Sequence, residues 1–392
     1  MKMNMNPYVR KTIAVAAMAA CIALPALTTG GHSAESASTP AVSLTLNQGA
    51  VQLKHTPLLE GGAVYLPLRE TGALLGSRTT WIAEGKRILV NSPGIRVEMT
   101  LGSKQAKVNG KAYVLTAMPK NVGGVVFVPV RFVSEALGAS VQWNAKDRRV
   151  ELRFDNAYAF VEKGARGYWL QRNTGELYVS ENGQAAALAG DTEFKLQRYV
   201  ELSVETLSAG TDVVTATDNY GEPGINNDVY RFVVASGKLT AEAKTHYWGV
   251  HPIRNVKATA DGHSLLMDGA ALSEVDASGA VMATHVLKAL TGYEDEAFQV
   301  EWYDAAFMIV RPHTTGWLTL VDRKTGKATR LADALLDEKQ LEAYRTMPPN
   351  ELDFANWDGL RVVGLEGNVL KLKHQWFLDG GKEVDLTYTI ES

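Results

Sequence analysis

The sequence predicts a mostly β protein with short helices. A duplicated α+β domain covers residues 42–154, and a C-terminal β-propeller-like domain of about five blades covers residues 155–392. Three observations carry this. A segment of about thirty residues occurs twice, 62 residues apart and without a gap, which is the signature of internal duplication. Beyond it, pairs of apolar runs recur around tight polar turns. Only one later stretch, Leu331 to Tyr344, carries apolar residues at helical spacing.

Copy one runs Gly61-Gly62-Ala63-Val64-Tyr65-Leu66-Pro67-Leu68-Arg69 through Leu74-Leu75-Gly76 to Trp81. Copy two runs Gly123-Gly124-Val125-Val126-Phe127-Val128-Pro129-Val130-Arg131 through Ala136-Leu137-Gly138 to Trp143. Each reads as strand, short helix, strand, hairpin, strand. The β-branched and aromatic runs before Pro67 and Pro129 favour strand, and proline ends them because it has no N–H for a continuing ladder. Proline is tolerated in the first turn of a helix, and Gly76 and Gly138 stand where a left-handed C-cap is expected. The strands holding Trp81 and Trp143 follow, then charged links at Glu84-Gly85-Lys86-Arg87 and Lys146-Asp147-Arg148-Arg149. Ahead of copy two, Val108-Asn109-Gly110-Lys111 is a two-residue hairpin signal.

In the second region the turns fall at Asn173-Thr174-Gly175-Glu176, Ser236-Gly237-Lys238, Ala277-Ser278-Gly279, Lys324-Thr325-Gly326-Lys327 and Asp379-Gly380-Gly381-Lys382. Their glycines are 62, 42, 47 and 55 residues apart, close to the roughly 40–50 residues of a propeller blade. A β-sandwich or a looser stack of hairpins produces the same alternation and stays open as an alternative. The helical stretch from Leu331 to Tyr344 is expected to insert between blades.

At the N-terminus, Lys2, Arg10 and Lys11 precede a 16-residue apolar run from Thr12 to Leu27, followed by small and polar residues. This pattern predicts a secretory signal peptide over residues 1–36. The run is shorter than the roughly 20 residues that span a bilayer, so no stable membrane span is expected after cleavage. The single cysteine, Cys21, lies in this run, with a lipoprotein anchor as the alternative use. Cleavage leaves a chain without thiols, hence without disulfides. Removing the three leader cations leaves 37 basic against 43 acidic residues. With no basic tract to track a phosphate backbone, nucleic acid is not an expected partner.

The strings "VFVPVRFVSEALGASVQWNAKDRRVEL" and "VYLPLRETGALLGSRTTWIAEGKRILV" resemble the copper amine oxidase N-terminal-like, or stalk, domain. The resemblance covers residues 42–154. It implies an α+β stalk module of the kind found in secreted proteins of Gram-positive bacteria. In the oxidases, copper and the redox cofactor belong to a separate catalytic domain, so the resemblance brings neither here, and no cofactor is expected.

Among candidate site residues, Pro67, Arg69, Gly76, Trp81, Pro129, Arg131, Gly138 and Trp143 read as structural elements of the repeat. The arginines are expected to bridge strand and helix, and the tryptophans to fill the core. Tyr247 and Trp248, flanked by His246 and His251, together with the oxygen-rich loop holding Asp218, Glu222 and Asp228, are candidates for a ligand surface. Calcium is a weighed alternative for that loop, but its spacing does not match an EF-hand, and no metal site is assigned. Asp212, Asp218, Glu301 and Asp304 are the carboxylates that a propeller channel could present for glycoside hydrolysis.

The expected function is therefore that of a secreted cell-envelope protein. It is read as a non-catalytic binding or spacer module that presents its propeller-like domain to cell-wall polysaccharide or an exported protein. The alternative is a secreted glycan-active hydrolase.

Overall fold

The computed structural model describes residues 41–222, 224–346, 357–376 and 379–391, and the chain from residue 41 onward forms one compact unit. The expected signal peptide over residues 1–36 and the lipidation alternative at Cys21 fall outside the described residues. No described helix is long and apolar enough to cross a membrane.

The duplicated domain is organised around equivalent strands. Ala63–Pro67 pairs antiparallel with Val125–Pro129, and Leu66 lies opposite Val128, its own counterpart 62 residues later. A pseudo-dyad therefore passes between these two buried side chains. Lys120–Val122 and Leu58–Glu60 complete this four-stranded sheet. Each central strand runs straight into a helix, Leu68–Leu74 or Val130–Ala136, with the proline as N-cap. Gly76 and Gly138 follow the helices at φ +59° and +89°, a region a side chain disfavours.

The copies are not independent. A five-stranded sheet contains Arg78–Ile82, Arg87–Ser92, Ile95–Thr100, Gln105–Val108 and Lys111–Val114. It joins the tryptophan strand of copy one to the hairpin of copy two. The reciprocal four-stranded sheet contains Ser140–Asn144, Arg149–Arg153, Ser43–Leu46 and Gly49–Val51. Ser43–Leu46 there lies parallel to Arg149–Arg153. The repeat is thus longer than it reads, because each unit begins with a hairpin that completes the other unit's sheet. Asn47 fastens the arrangement: its side chain donates to the Phe154 carbonyl (2.8 Å) and accepts from the Phe154 N–H (2.9 Å).

Beyond residue 155 the chain forms five consecutive antiparallel meanders. Sheet I holds Tyr158–Lys163, Arg166–Gln171, Glu176–Glu181 and Ala187–Asp191; sheet II holds Val200–Ser208, Thr211–Tyr220, Asn226–Ala235 and Lys238–Trp248. Sheet III holds Ser264–Asp268, Ala271–Val275 and Val281–Val286. Sheet IV holds Phe298–Tyr303, Phe307–Pro312, Thr319–Asp322 and Ala328–Arg330, and sheet V holds Leu360–Glu366, Val369–Gln375 and Glu383–Thr389. Each of the five expected turns joins two strands of one of these sheets. The expected helical insertion appears as Ala332–Leu335 and Glu338–Thr346, between sheets IV and V.

An apolar layer lies between each successive pair. Tyr168, Leu170 and Phe232 pack sheet I on II; Val213, Val233 and Leu266 pack II on III. Leu265, Phe298 and Val310 pack III on IV, and Ile309, Leu318, Leu360 and Leu372 pack IV on V. Among the described residues no hydrophobic cluster joins sheet V to sheet I. Instead, sheet I meets the duplicated domain. Successive strand residues face opposite sides, so Tyr168 and Leu170 enter the layer with sheet II while buried Trp169 faces the other way. Its indole N–H donates to the Gly76 carbonyl (2.7 Å). Arg78 donates to the Gly164 carbonyl, and Asn91 and Arg96 both donate to that of Gly183.

Candidate functional site

The ligand-surface candidates gather at one end of sheet II, but they divide into scaffold and surface. Asp218 is fully buried. Its carboxylate accepts the backbone N–H groups of Gln197 (2.5 Å), Arg198 (3.3 Å) and Tyr199 (2.9 Å). It therefore shapes the strap that leads into the sheet. Asp228 is also buried; it pairs with His246 at 2.6 Å and Lys244 at 3.4 Å. Tyr247, one of the ligand-surface candidates, is buried because alternation turns it inward. Its hydroxyl donates to the Phe298 carbonyl (3.0 Å) and accepts from the Asn255 amide (2.8 Å), while burial raises its pKa.

Glu222 and Trp248 remain as surface groups. Glu222 pairs with Arg198 at 2.9 Å, and Trp248 is 38% exposed. The structure adds Tyr199, 65% exposed, which sequence reasoning missed. The common location follows from pairing: Asn226 is opposite Trp248, and the Gly249 N–H donates to Ile225, while Tyr199 is held by Asp218 on the neighbouring strand. The Trp248 carbonyl is in turn fixed by the His313 imidazole at 2.7 Å. This end of sheet II thus presents Tyr199, Trp248 and Val250 on backbone that buried groups hold in place.

The carboxylates considered for hydrolysis are committed elsewhere. Asp212 is buried in sheet II and binds Arg166 (2.8 Å) and the Tyr168 hydroxyl. Burial opposes its ionised form, yet these hydrogen bonds hold its pKa below the ordinary value. Asp304 accepts the N–H groups of Ala306 and Phe307 and the Trp302 indole. Glu301 lies at a β-bulge, where the register slips between Val300 and Trp302; a bulge re-aims a side chain. It meets Arg311 at 2.7 Å between sheets IV and V.

Arg311 also binds Asp358 (2.8 Å) and the carbonyls of Gly316 and Leu360. All three charged side chains are buried. Desolvation works against the guanidinium, but the two carboxylates more than offset it and raise its pKa. The carboxylates also take backbone N–H groups, Glu301 that of Val362 and Asp358 those of Leu318 and Leu360, so this network ties sheet IV to sheet V.

The repeat residues divide in the same way. Pro67, Gly76, Pro129 and Gly138 stand at the helix boundaries described above. Arg69 and Arg131 do not bridge strand to helix: both are exposed, and Arg131 reaches only Glu135 at 4.0 Å, one turn along. Trp81 and Trp143 are 43% and 36% exposed rather than core. Trp81 lies opposite buried Ile88 and Trp143 opposite buried Val150, on the face that carries the core, but both tryptophans stand on the edge strands of their sheets, where one side of the ring has no neighbouring strand.

The family model described as the copper amine oxidase N-terminal domain matches residues 45–152. That part of the chain is similar to this domain family. A protein named "Protease inhibitor" from Brevibacillus choshinensis is 28% identical over 253 residues, which covers 62% of this chain and 76% of the relative. A solved protein of unknown function from Bacteroides caccae is similar at 10% identity with a TM-score of 0.22, covering 75% of this chain and 90% of that one. A GH43 endo-arabinanase from Bacillus licheniformis is similar at 10% identity with a TM-score of 0.20, covering 60% and 93%. Likenesses at this level carry no argument about fold or chemistry. The residues of the N-terminal domain do not fit copper: among the described residues no group of three or more His, Cys, Asp or Glu side chains converges. Its His55 is paired with Glu70 at 2.6 Å.

Proposed function

We propose that this chain is a non-catalytic binding module of the cell envelope that takes an exported protein, most directly a secreted protease, as its partner. The observation that carries this reading is the pair of exposed aromatics, Tyr199 and Trp248, at one end of sheet II. Exposed tyrosine and tryptophan on a rigid backbone give large contact area at low entropic cost, and such residues dominate the energetics of protein interfaces. The class of partner is suggested by the relative named a protease inhibitor. Its 253 matched residues exceed the extent of the N-terminal domain, so the likeness runs on into the sheet stack. The commitment of Asp212, Asp218, Glu301 and Asp304 to hydrogen bonds weighs against the glycan-hydrolase alternative.

The test is titration of secreted serine and metalloproteases with the purified protein, following cleavage of a fluorogenic peptide. Stoichiometric inhibition or a stable complex is expected, weakened at least tenfold by a Tyr199→Ala, Trp248→Ala double variant. Release of soluble sugar from cell-wall polysaccharide above a boiled control would overturn the non-catalytic reading. Complexes that survive the double variant unchanged would move the interface elsewhere.

A further inference from the structure

The duplication builds two cavities as well as one fold. The first, about 550 Å³, is lined by Arg69, Trp81 and Ile88 of copy one and by Asn121 and Gly124 of copy two. The second, about 360 Å³, is lined by Arg131, Trp143 and Val150 of copy two and by Leu59 and Gly62 of copy one. Every one of these positions has its counterpart 62 residues away in the other cavity. The pseudo-dyad that sets Leu66 against Val128 therefore relates the two clefts, and neither copy makes a cleft by itself.

What the clefts share is restricted chemistry. Each offers one indole with an open face and one guanidinium. Among the described residues Arg69 makes no ion pair, and Arg131 meets Glu135 only at 4.0 Å with both side chains mostly exposed, a geometry that contributes little. In the first cleft, Lys54 and His55 accompany Glu70. Burial tends to raise the Glu70 pKa, but the His55 ring and the Lys54 N–H (2.6 Å) hold it below the ordinary value. Glu70 thus stays ionised and offsets a neighbouring positive charge. The counterparts in the other copy are Thr116 and Ala117, which line the second cleft, and Phe132, which packs against the core instead. Each cleft is left with about one uncompensated cation beside one aromatic face.

We infer that the N-terminal domain binds a carboxylate-bearing sugar in each of these two clefts. Trp81 and Trp143 supply the platform for the apolar face of the sugar ring, and Arg69 and Arg131 take the carboxylate. A guanidinium matches a carboxylate through two parallel N–H donors, and an indole covers an apolar ring face while its N–H stays available to a polar rim. The volumes lie in the range of small-ligand sites, roughly 300–1,000 Å³. A protein partner would instead need a continuous footprint of about 800 Å² per side. This site is separate from the sheet II surface and does not depend on the protease reading.

The test is calorimetric titration of the full chain with a tetrasaccharide of alternating N-acetylglucosamine and N-acetylmuramic acid, whose lactyl ethers carry the carboxylates. Chitotetraose is the neutral counterpart. The expected result is two sites per chain for the acidic sugar, falling to one in either Trp81→Ala or Trp143→Ala and to none in the double variant. Arg69→Gln combined with Arg131→Gln should weaken the acidic sugar roughly tenfold and leave chitotetraose unchanged. Melting curves of each variant check that the fold is retained. Equal affinity for the two sugars, unaltered stoichiometry in the tryptophan variants, or binding of an acidic peptide without binding of the sugar would each overturn the inference.

Discussion

In the N-terminal domain no outer sheet belongs to one copy, whereas in the C-terminal stack every sheet is one uninterrupted meander. The difference governs how each region should respond to damage. Stacked units interact with nearest neighbours, and their stability behaves as a sum of unit and interface contributions. Interleaved copies share every sheet, so a defect in one copy is felt in both. The stack should fail locally and the duplicated domain as a whole.

The largest expected effect tests the stack. Arg311→Ala leaves Glu301 and Asp358 buried and unpaired, at a cost of about 3–5 kcal/mol. Hydrogen exchange should then rise in sheets IV and V and stay unchanged in residues 43–153; uniform loss of protection would break the nearest-neighbour picture. Leu66→Ala comes next, at about 3 kcal/mol for an aliphatic side chain removed from a packed site. Here protection should fall together around Ile88 and Val150, which sit in different sheets, and a loss confined to one sheet would contradict the interleaving.

Trp169→Phe removes the indole donor to Gly76 and should cost about 1–3 kcal/mol, because the carbonyl is left without its partner. Under the same measurement, loosening should appear on both sides of that contact and nowhere beyond sheet II. A smaller, pH-dependent effect concerns His263 in the stack. The hydrogen bond to Glu274 (2.6 Å) raises the imidazole pKa above 6.5. A raised folded value means that the stabilisation is complete below pH 6.5 and is lost as pH rises through the folded pKa. Glu274 is lowered from 4.5, burial being outweighed by its bonds to His263 and Tyr303. Its contribution is present above 4.5 and lost as pH falls through its lower, folded value. His263→Gln should therefore lower the melting temperature most at about pH 5.5 and converge on the parent in alkali. Trp81→Ala, at an exposed position, should change stability by less than about 0.5 kcal/mol; a larger loss would restore the indole to the core.

Much of the chain's plan was legible because it rests on local chemistry. The prolines at 67 and 129, the glycines at 76 and 138, the Asn109-Gly110 hairpin and the five polar turns of the stack each act within a few residues, and each stands where it was expected. What was not legible involves partners far along the chain. The hairpin over residues 43–51 was invisible as part of the repeat because its partner strand begins at Arg149. Trp81 and Trp143 read as core because an indole favours burial, and they do share a face with Ile88 and Val150, but each stands on an edge strand that leaves one side of the ring open. For Tyr247 and Trp248 in sheet II it is the face of the strand that decides, and adjacent aromatics have opposite fates. Arg311 gave no local sign of the carboxylates at 301 and 358 that surround it.

The pairing of Ser43–Leu46 with Arg149–Arg153 has a consequence for timing. The first strand of the domain has no stable place until its last strand exists, and Asn47 closes onto Phe154 across a separation of 107 residues. Loops of that length carry a large closure entropy, and non-local pairing slows folding. A nascent chain would therefore carry its opening hairpin without a partner until nearly the whole domain had emerged. The same duplication that gives the domain its symmetry makes it a late folder.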